Sequence, residues 1–595
     1  MILLYYYISE YQSLTDQELN FHQNHKIHYD KGLKKIEHQI NDDFHKTFWG
    51  ENITSVTGII GKNGTGKTTM IKSILNTCVL SETPVNILLV FKEQKNSKDI
   101  SFYHHSNIEI SSFPDNFKRV NKIDFLDISL IFHSNHFDPY YNSFDITRNE
   151  LNGKMKNLST NYLLLKDKET YTNRDMNSSD FTYAKTLLFH KSMELRRQIN
   201  FIRKYSNNNE IVFFRIPRYI KLSPVIDEES WFLIDVTSGL TNQCQKISNV
   251  FNRYIEIIKN LNDKKEIIYL SFFRSSIFNL INYIKASNNT LSISNEILSS
   301  IEEEIGGLLI QNKLRKEHYL EVYIKLTLRY SSFSFLFKNI DSLKELFNII
   351  KDSNISEIDN TIYIDLEKNR ITDFNNFFNL YYRSDRITSY INLELSHEKN
   401  EQTTPSSGEL ALLNFYSRFH SIAKKDLKRN LIILLDEVEL ALHPEWQRIY
   451  IDTILEYFEL EFGISKSIQL IITSHSPFII SDLPITSLNF IKGNISYEQT
   501  FGANIHTLLM DAFFIEGGLI GAFAKKKINR VIKDINEGDV KKIKDIRKII
   551  NLIGEPVLKN KITQMFEDKF NMPCNDVDFE INRLEARINY LKEHK

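Results

Sequence analysis

Thr54-Ser-Val-Thr-Gly-Ile-Ile-Gly61-Lys62-Asn63-Gly64-Thr65-Gly66-Lys67-Thr68-Thr69-Met-Ile-Lys-Ser-Ile-Leu75 decides the fold. A β-branched run meets a glycine-rich loop, and the loop opens an apolar-periodic helix. Gly61-x-x-x-x-Gly66-Lys67-Thr68 satisfies the P-loop pattern in full, in the strand-loop-helix setting that its mechanism requires. The glycines let successive backbone N–H groups turn inward on an anion, and the positive end of the helix adds its dipole. Asn63, Gly64, Thr65, Gly66, Lys67, Thr68 and Thr69 are therefore the phosphate-binding candidates. Lys67 is placed to reach β- and γ-phosphates and the Thr68 hydroxyl to ligate Mg²⁺. A glycine-rich turn before an ordinary helix would explain neither the Lys-Thr pair nor its setting. The loop does not separate adenine from guanine.

Around this loop lie 595 residues, room for about three to four domains. A hydrophobic fraction of 42% excludes a disordered scaffold. The 74 basic and 75 acidic residues nearly cancel, so any contact with nucleic acid needs a local patch. Cys78, Cys244 and Cys574 are few and far apart, which excludes a disulfide framework and a paired-cysteine zinc site and fits a reducing compartment. No run of about eighteen apolar residues and no basic-then-apolar leader pattern is present; the expectation is a cytoplasmic protein without a membrane partner.

Taken in order, Met1 to Ser9 reads as an opening strand, residues 19 to 30 as a weaker second strand, and Val85–Phe91 and Ile123–His133 as further strands. His133 and His136 invite a metal reading, but a metal site needs about three or four ligands and no matching cluster accompanies them. From about 146 to 385 the spacing turns helical. Ile247, Val250, Phe251, Tyr254, Ile257, Ile258 and Leu261 share one helical face, as do Leu188, Leu195, Ile199 and Ile202. These are core stripes of a mostly helical insertion rather than a coiled-coil arm, because Pro217, Pro224 and Gly306-Gly307 interrupt the region.

A second informative block opens with a strand at Tyr390–Leu395, a polar loop, and Pro405-Ser406-Ser407-Gly408-Glu409 before a helix. Leu431-Ile-Ile-Leu-Leu-Asp436-Glu437 is a buried strand running into two acids. There Asp436 is placed to hold Mg²⁺ and Glu437 to polarise a water. Ile468 to Thr473 leads likewise into Ser474-His475-Ser476-Pro477, with His475 in reach of a γ-phosphate. Taken alone, Ser406 to Glu409 is an ordinary helix cap with a first-turn glutamate.

These residues resemble the ATP-binding-cassette ATPases of the SMC, RecF and overcoming-lysogeny-defect branch. Gly61–Thr68 resembles Walker A, Ser406-Ser407-Gly408-Glu409 the signature loop, Asp436-Glu437 the end of Walker B, and His475 the switch histidine. Asp436 through Gln447 resembles the D-loop region of this branch. Thr500 to His506, with Ile553-Gly554-Glu555-Pro556, is similar to the tail of stand-alone ATPases in Septu-type antiphage systems. The glutamine of a Q-loop is missing, with Ser134 and Asn135 where it is expected. The resemblance implies an α/β fold: an ABC-type P-loop NTPase head from 1–145 and 386–520, a large and mostly helical insertion at 146–385, and a helical C-terminal tail at 521–595.

The same resemblance implies ATP and Mg²⁺ as cofactors, with Glu437, His475 and Lys67 catalytic, and Thr68 and Asp436 on the metal. Ser406, Ser407 and Gly408 would complete the ATP site of another subunit, giving a homodimer or a higher homo-oligomer. The function expected is an ATPase whose ATP-dependent head dimerisation regulates a separate effector, a nuclease, in bacterial antiphage defence. Two rivals stand beside it: a RecF- or SMC-like repair ATPase with nucleic acid as partner, and a nucleotide-gated scaffold with little turnover. Lysines and arginines between 525 and 548 read as a solvated amphipathic face rather than a nucleic-acid patch. Asp576-Val577-Asp578 lacks the strand series that a Toprim nuclease needs.

Overall fold

The computed structural model describes, apart from short breaks, residues 1–135, 155–224, 354–366 and 391–573. The stripe at 247–261, His136 and the acids at 576 and 578 lie outside them. The chain divides into two compact units, Met1–Gly502 and Ala503–Lys595.

In the first unit, strands β1 (Ile2–Tyr11) and β2 (Leu14–Asn20) form an antiparallel hairpin, followed by the hairpin of β3 (His25–Asp30) and β4 (Lys35–Ile40). The stretch expected as one strand over 19–30 is thus two. Burial alternates unbroken from Leu19 to Tyr29, but a turn at Gln23-Asn24 divides the run, and there the Gln23 side chain donates to Val56 O (2.7 Å) and Ser487 Oγ (2.8 Å). β5 (Ile53–Ile60) leads through the glycine-rich loop into α1 (Lys67–Val79). β6 (Asn86–Lys92), β7 (Ile100–His104) and β8 (Phe117–Arg119) then complete a five-stranded sheet in the order β2-β1-β6-β7-β8.

β9 (Ile128–Ser134) and β10 (Met155–Asn157) enter a different sheet. Helices α2 (Thr160–Arg174) and α3 (Tyr183–Tyr205) follow. A four-stranded antiparallel sheet is built from β11 (Tyr219–Pro224), β12 (Asn354–Ile355), β13 (Ile362–Asp365) and β14 (Ile391–Ser396), in the order β12-β13-β11-β14. The segment expected as a mostly helical insertion therefore supplies strands of two sheets among its described residues. β10 extends the core sheet past the expected boundary at 145.

After β14 come α4 (Ser407–His420), β15 (Asn430–Asp436), α5 (Pro444–Phe462), β16 (Ser467–Ser474), the short α6 (Pro477–Ser481) and β17 (Leu488–Phe490). With β5, β9 and β10 these strands make a wholly parallel six-stranded sheet, ordered β10-β9-β15-β16-β5-β17. Its central strands are near-continuous apolar runs, as burial on both faces demands. One face, with Leu130, Phe132, Ile432, Leu434 and Ile471, shares a core with Met70, Ile71, Ile74 and Leu75 of α1 and with Leu3, Tyr6 and Ile8 of β1. Gln469 pins the two sheets together there, accepting from Leu3 N (2.8 Å) and donating to Leu3 O (3.0 Å).

His133 points the other way, toward α4. It is fully buried against the rings of Phe415 and Phe419, and its Nδ1 lies 3.1 Å from Leu158 O. Burial pushes its pKa down to about 3. So α1 and α4 pack on opposite faces of the parallel sheet, and α3 lies along α4. Phe201 stacks on Tyr416, Gln198 donates to Asn414 (2.7 Å), and Glu194 takes the Arg418 guanidinium (3.2 Å). The expected stripe on α3 is buried at Leu195, Ile199 and Ile202.

The second unit carries α7 (Ile505–Asp511), α8 (Ala522–Glu537), α9 (Ile543–Leu552) and α10 (Pro556–Phe570). Ile528, Val531, Ile535, Ile546, Ile550, Ile562 and Phe566 of the last three helices form its own core. It begins at Ala503 rather than 521.

Candidate active site

Strand ends bring the chemistry together. Because β5, β15 and β16 are parallel, the loop after β5, the acids after β15 and the histidine after β16 all emerge at the same edge of the sheet. β16 lies between the other two and keeps Asp436 level with Thr473.

The loop itself is tight. A Cβ on Gly61 would meet Thr65 Oγ1 at 2.6 Å and Ile491 O at 3.2 Å. Gly66 has φ +107°, where a side chain would also strike Leu14 at 2.7 Å, so glycine is required at both positions. Thr65 closes the turn by donating to Lys62 O (2.8 Å). Asn63 lies outside the described residues. Gly64, at φ +77°, opens onto solvent, and Thr69 is half-buried on the first turn of α1.

Lys67 is 4% exposed and curls back to donate to Gly61 O at 3.3 Å. Its Nζ meets Nε2 of His475 and lies 3.4 Å from Glu437 Oε1, which is itself 3.1 Å from the same Nε2. Three groups of the expected catalytic set thus converge on one point. Burial holds the Lys67 ammonium below its ordinary range, although Glu437 opposes that shift. The Glu437 carboxyl is held below the usual carboxylate range, first by its bond to His475 and then by the Lys67 charge.

Beside this triad, Thr68 Oγ1 lies 3.4 and 3.3 Å from the two oxygens of Asp436. Thr473 Oγ1 donates to Asp436 Oδ1 at 2.6 Å and fixes the carboxyl. Burial raises the Asp436 pKa, and the Thr473 hydrogen bond opposes that shift. A hydroxyl and a carboxylate side by side at a phosphate loop fit Mg²⁺, which takes one or two protein oxygens and completes its octahedron with phosphates and water.

Glu437 has a left-handed backbone, φ 48° and ψ 43°, and its N–H donates to Thr473 Oγ1 (3.1 Å) and Thr473 O (3.2 Å). That kink turns the chain off β15 and swings the carboxylate toward His475. Sequence reasoning missed Thr473 as the residue that holds both acids. Its only signal was a hydroxyl residue at the end of the neighbouring strand.

Ser406, Ser407 and Gly408 are not part of this cluster. Ser406 is the N-cap of α4 in a complete capping box: its N–H donates to Glu409 Oε2 (2.7 Å) and its Oγ accepts from Glu409 N (3.3 Å). Ser406 and Ser407 are exposed, and α4 lies across the sheet from α1.

Residues 246–481 match the model of a family described as "AAA domain, putative AbiEii toxin, Type IV TA system". The matched span holds the Ser406 cap, both acids and His475, and begins after the P-loop. The match covers less than half of the chain, and it supports an AAA/ABC-type P-loop ATPase that binds and hydrolyses ATP.

Proposed function

We propose that this chain is an ATP-hydrolysing switch of the SMC/ABC-like kind, whose heads join around ATP and so regulate a separately encoded effector, a nuclease, in bacterial antiphage defence. The observation that carries the reading is the division of the site. The P-loop, both acids and His475 meet within one chain, whereas the exposed Ser406 cap faces outward from the opposite side of the sheet. A helix N-terminus presents the positive end of its dipole to an anion, here one brought by a second copy.

In this reading Lys67 exchanges its Glu437 partner for the β- and γ-phosphates of ATP. Glu437, released from the ammonium, takes the proton of the attacking water, and His475 orients that carboxylate through their shared contact. When bound by Thr68 and Asp436, Mg²⁺ neutralises charge on the β- and γ-phosphates. The Ser406–Gly408 turn of a second copy closes over the γ-phosphate, so that ATP joins the heads and hydrolysis releases them.

The defence setting draws its support from the toxin and Type IV TA system named in the matched family's description, and from the likeness of residues 500–506 and 553–556 to Septu-type ATPases. Light-scattering mass measured with ATP and Mg²⁺, then with ADP, tests the switch. A doubling of mass with ATP alone is expected, and a mass that ignores the nucleotide would sink it.

A further inference from the structure

Glu439 is a buried carboxyl to which the mechanism above gives no role. Its side chain comes from the turn that follows Glu437 and is 2% exposed. Oε1 accepts two hydrogen bonds, from Ser474 Oγ at 2.6 Å and from His475 N at 2.9 Å. Oε2 is buried without a hydrogen-bond partner among the described residues. A carboxyl in that state is a burden on stability, because its desolvation is only partly offset. Packing alone does not explain its presence.

Its partners do. β16 ends at Ser474, so beyond that residue the backbone leaves the sheet and its N–H groups need other acceptors. Glu439 takes the N–H of His475, Ser474 Oγ takes that of Ser476 (2.9 Å), and Ser476 Oγ donates to Gln447 Oε1 (2.8 Å). Gln447 is tied back to Leu442 O at 3.0 Å. Three consecutive residues around His475 are therefore held by groups from 439–447, the segment continuous with Glu437. From the backbone held in this way the His475 imidazole meets Glu437 and Lys67.

We propose that Glu439 is a positioning residue for ATP hydrolysis: its carboxyl locks the backbone at Ser474-His475 and so sets the imidazole against Glu437. The proposal rests on the ATPase reading. It requires the turn after Walker B and the switch histidine to move as one body. Any shift of residues 438–447 would then be felt at His475 through two hydrogen bonds.

The test compares Glu439→Ala and Glu439→Gln by phosphate release over a range of ATP concentrations, and by amide exchange of residues 474–476. In Glu439→Ala, kcat is expected to fall about ten- to hundredfold, with KM for ATP changed less than about threefold and with faster exchange at 475. Gln still offers an oxygen to both donors, so Glu439→Gln should return kcat and protection to within about threefold of wild type. A folded Ala variant that melts earlier but keeps wild-type kcat and protection would show a purely structural role and overturn the proposal. So would an equal loss of kcat in both variants. If the Ala variant does not fold, Ser474→Ala reads the same bond from its other end: a drop of about three- to tenfold in kcat supports the proposal, and none refutes it. Absence of phosphate release from wild type would instead bring down the ATPase reading itself, a result that no variant is needed to see.

Discussion

Lys67 is a buried ammonium whose nearest counter-charge is Glu437, and that pairing defines what each residue does when the other is removed. In Lys67→Ala the loop backbone remains while the phosphate loses its charged partner; ATP affinity should fall by about two orders of magnitude. A nucleotide titration that finds wild-type affinity would rule the assignment out. Glu437→Gln acts on the other half. It keeps shape and most hydrogen bonding but removes the anionic acceptor, so phosphate release should slow by about two to four orders of magnitude while ATP binding survives. ATP-bound dimers of this variant should accumulate. Near-wild-type turnover would exclude Glu437 as the base. That Lys67 and Glu437 would meet was legible in the sequence, because motif spacing specifies which strand ends carry them. The Glu439 bond to His475 was not, since nothing in a sequence says which buried carboxyl bridges which backbone amide.

At the scale of elements, α4 carries the sharpest prediction. Its capping box was readable as Ser-x-x-Glu before an apolar run, and the structure builds it in full. A bulky side chain at the cap, Ser406→Arg, should sterically obstruct a γ-phosphate presented by a second copy and block ATP-driven dimerisation, while ATP binding by the single chain stays within about threefold. ATP titration and scattering on the same sample decide this. If affinity collapses as in Lys67→Ala, the cap serves its own chain and the shared site is wrong. The neighbours of α4 were harder to foresee. Gln198 and Asn414 meet across 216 residues, and a period of 3.6 shows that α3 has an apolar face without saying what covers it. The same limit hid the antiparallel sheet. β1 and β6 read plainly as strands, yet their pairing with each other, rather than with β5, depends on contacts no local pattern encodes. Residues 19–30 misled because Leu19, Phe21, Ile27 and Tyr29 are all buried, although a turn separates the first pair from the second.

For the molecule as a whole, acid should be the weak direction. His133 and His25 are both depressed to about 3 by burial, so their unfolded forms take protons from about pH 6.5 downward while the folded forms do not. Glu461 is held at about 2 by His420, Lys424 (2.6 Å) and Tyr205. It therefore adds stability above about pH 4.5 that is lost as pH falls toward 2. Urea midpoints should drop from pH 7 to 4, though less steeply than the histidines alone would give, because burial raises Asp436, Glu439 and Asp482, the last to about 6, and their folded forms take protons first. His133→Gln should flatten the upper part of that slope, and parallel curves for the two proteins would remove His133 from the account. The left-handed backbone at Glu437 carries a different consequence. Such a conformation costs a side-chain-bearing residue about 1 kcal/mol, and glycine would adopt it freely. Glu437→Gly would shed that cost but strip the buried Lys67 ammonium of its counter-charge, so Tm should fall on balance while phosphate release slows by about two to four orders of magnitude, and an unchanged or higher Tm would contradict this. A laboratory selecting heat-resistant descendants of this chain, without asking them to work, would therefore find them keeping the residue that does the chemistry.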